Sequence, residues 1–229
     1  MNRWDIINHF IEKNNYKTYL EIGYYKGWSF DQIKCDKKRA VDPNPLKSQF
    51  QIDAKYGSDT ILANEKGIVT KFTSDDFFQD GRLSKTSWDI IFIDGLHEAF
   101  QVEKDIQNSL KHLSPGGTII LHDCNPPTYE HTTTGVDGCW TGDTYKAFCK
   151  FRLQYPEYES FTVDTDWGCG VISTPPGESD EVDMKEDDVS ILLGWEHFDK
   201  HRKELLNLIS VEEFLKKTNE RSQDNNSAA

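Results

Sequence analysis

Asp89-Ile90-Ile91-Phe92-Ile93-Asp94-Gly95-Leu96-His97 decides the fold. Its apolar run is unbroken from Ile90 to Ile93, as in a strand covered on both faces, and it ends in Asp, Gly and His. Two other runs follow the same plan. Tyr19-Leu20-Glu21-Ile22-Gly23 ends in a glycine turn, and Thr118-Ile119-Ile120-Leu121-His122-Asp123 ends in a His-Asp pair. As parallel strands of one open sheet, the three would gather these polar ends in the crevice where such sheets bind ligands.

The flanking segments supply the rest of a βαβ rhythm. Trp4, Ile7, Phe10 and Ile11 recur at helical spacing, so residues 3–14 read as a leading amphipathic helix. Ala40-Val41 is a strand stopped by Asp42-Pro43, and Ile68 to Phe72 another. Short helices are expected from about Trp28, over 46–55, and from Ser74 to Phe78 with Ser74 or Asp75 as cap. Val102, Ile106, Leu110 and Leu113 form one stripe of a helix over 98–113, closed by Ser114-Pro115-Gly116-Gly117. The fold class is therefore α/β: a Rossmann-like, doubly wound sheet, mostly parallel, with an antiparallel edge hairpin and C-terminal helices. Phe161–Val163 and Gly170–Ile172 form the hairpin, with Asp164–Gly168 turning between them.

Residues 124–142 are rich in Pro, Thr and Gly, too long for a simple connector, and read as an active-site lid. A helix follows from Asp143 or Thr144 to about Leu153. Residues 174–188 are a surface loop, and 190–208 and 211–217 read as helices. The single domain spans 1–217, and the polar tail 218–229 is expected to be disordered.

Bulk composition excludes some classes. Lys+Arg number 26 against 39 Asp+Glu, a formal charge of −13, which disfavours gripping nucleic acid or an anionic membrane. No run of ~20 apolar residues is present to span a bilayer, and the start has no signal-peptide pattern. The 5 cysteines form neither a disulfide framework nor a CxxC pair, so a cytoplasmic protein with reduced thiols is expected.

Glu21-Ile22-Gly23-Tyr24-Tyr25-Lys26-Gly27-Trp28-Ser29 leaves a strand through a glycine turn that lets backbone approach a ligand. Tyr25 stands where a dinucleotide fingerprint needs its second glycine, which disfavours a dehydrogenase. Asp42, at the end of the next strand, is placed to accept ribose hydroxyls, or else is a turn residue before Pro43.

Taken in order, E-I-G-x-x-x-G-x-S, V-D-P, I-D-G-x-H and L-x-P-G-G-x-x-x-x-H-D resemble the class I S-adenosylmethionine-dependent methyltransferases over about residues 17–123. Within them the chain looks like the small-molecule O-methyltransferases that modify sugars, the macrocin and mycinamicin type among them. The resemblance implies a cofactor site at Glu21, Gly23, Gly27, Ser29, Asp42 and Asp94, with Ser74 and Asp75 beside the adenine. It implies a divalent ion (Mg2+ or Mn2+) on Asp94, His122 and Asp123, and His97 as the base that deprotonates the acceptor, His122 sharing in the chemistry. Position 122 departs from the acidic pair of the metal-dependent relatives. A neutral imidazole there weakens Mg2+ and tolerates Mn2+ or Fe2+ better, or else signals metal-free acid–base work by the two histidines.

The acceptor is expected to be a small sugar-like molecule, with neither nucleic acid nor membrane as partner, and self-association stays open. A catechol or phenol acceptor, and a non-catalytic nucleoside-binding protein, are the competing readings. Tyr129, His131 and Trp140 on the lid, Asn125 at its start and Asp143 after it are further candidates for contact with substrate.

Overall fold

The computed structural model describes residues 1–46, 51–52, 61–64, 67–81, 86–174, 183–184 and 193–227. The strands are β1 (Thr18–Ile22), β2 (Lys37–Val41), β3 (Gln51–Ile52), β4 (Ile61–Asn64), β5 (Gly67–Thr70), β6 (Trp88–Ile93), β7 (Leu113–Leu121), β8 (Glu159–Val163), β9 (Cys169–Ser173) and β10 (Leu208–Ile209). They form one sheet in the order β10-β8-β9-β7-β6-β1-β2-β5-β4-β3. From β5 through β7 every neighbouring pair is parallel. The chain leaves β1 toward β2 and β5 on one side, then returns to place β6 on the other. The switch point therefore falls between β1 and β6, where the ends of Ile22 and Ile93 lie in register.

Strand alternation sends Leu20, Ile22, Ile91, Ile93, Ile119 and Leu121 to one face and Tyr19, Ile90, Phe92 and Ile120 to the other. The first face packs on helices α2 (Ser74–Gln79), α3 (Ala99–Lys111), α5 (Thr144–Gln154) and α6 (Trp195–Leu206), through Phe77, Ile106, Phe148 and Phe198. The second packs on α1 (Arg3–Asn14) and α7 (Val211–Ser227), whose Phe10 and Phe214 rings lie 5.7 Å apart. Helices on both faces make the sheet doubly wound. Among the described residues no helix is long and apolar enough to cross a membrane.

The antiparallel hairpin forms as read, Phe161 opposite Val171, but β10 adds a strand outside it. Several expectations change. The helix from Trp28 is a single 3-10 turn, Phe30–Gln32, because Gly27 at φ 73 and the tight turn from Tyr24 bend the chain away. Gln51–Ile52, inside the helix expected over 46–55, pairs as an edge strand with β4, which sequence reading missed; 47–50 and 53–55 lie outside the described residues. The cap of α2 is Thr73, whose hydroxyl accepts from Asp76 N, and neither Ser74 nor Asp75. The lid contains a short helix, α4 (Tyr129–Thr133). The C-terminal helix does not end at 217 but continues through Thr218, which is buried and bonds back to Phe214 O, to Ser227.

Candidate active site

The site gathers at the C-terminal ends of β1, β6 and β7. Gly23 leaves β1 at φ 92, and a Cβ there would overlap the Asp94 carbonyl, so glycine is what lets the two strand ends meet. Glu21, two residues earlier on β1, is fully buried and hydrogen-bonded to the Tyr19 hydroxyl. Burial pushes its carboxyl up to about 8, against the opposing effect of that hydroxyl. Gly27 is buried at φ 73 against the Tyr24 ring, and Ser29 is buried beside it.

Asp42 ends β2 as expected. Its Oδ2 accepts from the backbone N–H of Tyr24 (2.9 Å) and Tyr25 (2.7 Å), and its Oδ1 from Asn44 N (2.7 Å). It thus braces the glycine turn. Ser74 and Asp75 open α2, and both side chains accept from Gln101 Nε2 of α3, at 3.2 and 3.1 Å.

The acidic and imidazole groups converge. Asp94 Oδ1 lies 3.3 Å from His97 Nε2 and 3.2 Å from His122 Nδ1. Asp123 reaches the same two rings, Oδ2 at 3.2 Å from His97 Nδ1 and Oδ1 at 3.0 Å from His122 Nδ1. The rings differ in access: the side chain of His97 is 20% exposed, that of His122 only 4%. Burial favours an uncharged group at each position, and the mutual charges outweigh it. His122 and His97 hold the Asp94 carboxyl well below the usual range, and Asp94 with Asp123 lifts both imidazoles above theirs.

Two further members were invisible in the sequence. Arg3, from the first turn of α1, lies 3.0 Å from Asp94 Oδ2, and Asp166, from the β8–β9 turn, lies 3.6 Å from His122 Nε2. No local motif marks either residue, since the fold alone brings these remote segments together.

The donor set fits a divalent cation. One atom each of Asp94, His97 and Asp123 lie within 4.8 Å of one another. The gaps from His122 Nδ1 to Asp94 Oδ1 (3.2 Å) and Asp123 Oδ1 (3.0 Å) resemble the spacing of adjacent ligands each ~2.1 Å from one ion. The buried His122 ring is walled in by Asp94, Asp123 and Asp166, with neither nitrogen in a well-aligned hydrogen bond. Mixed imidazole and carboxylate ligation suits Mn2+ or Fe2+ better than Mg2+.

The 124–142 segment covers His97. The Trp140 ring stacks on the imidazole, centroids 5.6 Å apart, and its carbonyl lies 3.1 Å from His97 Nδ1. Asp143 was expected to cap its own helix or meet substrate. Its Oδ1 instead accepts from Ala99 N, capping α3. Asn125 is committed to Arg202 (2.7 Å) and Asp164 (3.0 Å), which pins the base of the lid. His131 is buried against Trp167, whereas Tyr129 is exposed. Beside Trp140 an open cleft of about 590 Å³ is lined by Glu98, Phe100, Glu103, Asp143 and Lys150 among others.

A doubly wound sheet with a glycine turn and acidic strand ends at its switch point is the architecture of the class I methyltransferases, whose methyl donor is S-adenosylmethionine. Residues 20–124 match the family described as "Methyltransferase domain". Similar solved folds include the O-methyltransferase from Bacillus cereus in complex with SAH (14% identity, 75% of this chain and 79% of that one, TM-score 0.52). SAH-bound Podospora anserina methyltransferase PaMTH1 is 16% identical over 77% of this chain and 78% of its own (TM-score 0.52). Cofactor-bound Rv0187 from MTB is 13% identical over 76% and 80% (TM-score 0.55). At these identities the likeness is one of fold. No curated protein sequence matches the chain.

Proposed function

We propose that the protein transfers the methyl group of S-adenosylmethionine to a hydroxyl oxygen of a sugar or glycan-precursor molecule. His97 is the general base, and Asp94, His122 and Asp123 hold a divalent cation. The carrying observation is the unequal access of the two imidazoles. His97 is the one an acceptor hydroxyl can approach, while His122 is walled in among carboxylates.

A sugar hydroxyl is a weak nucleophile at neutral pH. His97 takes its proton as the oxygen bonds to the methyl carbon and the carbon–sulfur bond breaks, leaving the thioether. Asp94 and Asp123 orient the ring and stabilise the imidazolium that forms. A divalent ion in the Asp94–His122–Asp123 set would supply Lewis acidity that lowers the hydroxyl's pKa. Gly23, Gly27, Ser29 and Asp42 surround the methionine and ribose portions of the donor, Glu21 lies beneath, and Ser74 with Asp75 faces the adenine. Trp140, partly exposed, and Phe100 line the cleft together with the polar Glu103–Lys150 pair, and offer apolar and hydrogen-bonding surface to a sugar ring.

The test is release of S-adenosylhomocysteine from S-adenosylmethionine across a panel of sugars, nucleotide sugars and catechols, with and without Mn2+. Turnover on sugars or nucleotide sugars, lost in His97→Ala, supports the reading. Turnover on catechols alone would replace the sugar with a two-oxygen acceptor.

A further inference from the structure

Arg3 and Asp166 lie outside the matched domain, yet they join its reaction centre. The contact is built rather than incidental. Asp166 Oδ2 accepts from Arg3 N (2.8 Å) and Nε (2.9 Å), and its Oδ1 accepts from Nη2 (3.0 Å). The fork leaves Nη1 for Asp94 Oδ2 at 3.0 Å. Arg3 stands in the first turn of α1, a helix held to the sheet by buried Ile6, Ile7, Phe10 and Ile11. The segment before it is tied down as well, since Thr165 Oγ1 donates to Met1 O at 2.5 Å. Asp166 and Trp167 both have positive φ (47° and 64°), a conformation that L-residues rarely adopt. The turn keeps it, and with it Asp166 beneath the guanidinium.

The consequence falls on Asp94. With Oδ2 engaged by Arg3, its carboxylate plane is set and Oδ1 is presented between His97 and His122. We propose that Arg3, anchored by Asp166, is a positioning residue that turns Asp94 toward the two histidines. The N-terminal helix is thereby a working part of the active site. This rests on the reading of Asp94 and His97 as reaction-centre groups. It assigns Arg3 no contact with substrate.

Lysine separates orientation from charge. An ammonium keeps the positive charge but cannot bond Asp166 at two points and Asp94 at a third in one plane. The experiment is side-chain NMR of the histidine rings in the whole, ligand-free protein, comparing wild type, Arg3→Lys and Arg3→Met, with thermal midpoints measured in parallel. The expected result is displacement of the His97 and His122 resonances in both variants while those of His9, His112 and His131 stay in place. Asp166→Asn should displace His97, which Asp166 does not touch. Wild-type positions for His97 and His122 in Arg3→Lys would overturn the proposal and leave Arg3 a tether for α1. Wholesale shifts of all histidines with a collapsed midpoint would also count against it, as a structural role. Calorimetry of S-adenosylhomocysteine on the same samples reads the underlying function separately: no binding by wild type would bring down the methyltransferase reading whatever the ring spectra show.

Discussion

His122 and Asp123 are consecutive in the chain, yet Nδ1 of the first lies 3.0 Å from Oδ1 of the second. Consecutive strand residues point to opposite faces, so the pair can meet only if the chain turns between them. It does so at Asp123, whose φ is 58°. The left-handed backbone that ends β7 brings both side chains into the crevice opposite Asp94.

A substitution series at Asp123 should separate backbone from charge. Asparagine tolerates the left-handed region and alanine does not. Asp123→Asn should therefore hold the wild-type thermal midpoint while losing about a hundredfold or more in turnover. Asp123→Ala should lose activity and also about 1 kcal/mol of stability. Thermal melts beside a methyl-transfer assay check both.

His97→Ala should abolish turnover and leave the affinity for S-adenosylhomocysteine nearly intact. Mn2+ affinity decides between two roles for the ring, because His97 shares the cluster of Asp94 and Asp123. If His97 is the base and His122 the ligand, Mn2+ binds the variant as it binds wild type. Loss of Mn2+ binding would make His97 the ligand and leave the base to be found.

Above the ordinary carboxylate value of 4.5, Glu21 should make stability fall as pH rises into the mildly alkaline range. Its folded carboxyl ionises at about 8 against an ordinary value of 4.5. Between the two, the folded chain keeps a proton that the unfolded chain has released. Each pH unit in that window costs up to ~1.4 kcal/mol from this group, and the loss levels off above it. Glu21→Gln cannot ionise, so its midpoint should exceed that of wild type near pH 8 and approach it near pH 5. Parallel curves at all pH values would contradict this origin.

Much of the fold was legible because the central strands carry their burial in their composition. The runs at 18–22, 88–93 and 118–121 carry apolar residues on both faces and end in turn chemistry, which marks them as central strands. The edge β3–β4 escaped notice, since two- and four-residue strands carry no usable period. The site divides in the same way. Asp94, His97, His122 and Asp123 stand at strand ends, where the parallel sheet announces a crevice, and they meet there. Arg3 and Asp166 had no such signal, because a polar residue in a first helical turn and an aspartate in a hairpin turn are unremarkable until the fold sets them 163 residues apart in sequence and in contact. Asp143 misled for a related reason. Its position caps α5, but its side chain reaches across to α3.

Calorimetric titration of the intact protein with S-adenosylhomocysteine tests the methyltransferase reading most directly, wild type beside Asp42→Ala. One molecule should bind per chain, and binding should weaken at least about tenfold in the variant, which lacks both the proposed ribose acceptor and the brace on the glycine turn at Tyr24 and Tyr25. No heat of binding in wild type, with or without Mn2+, would contradict the reading and leave the polar crevice at Gly23 and Asp94 without its proposed ligand.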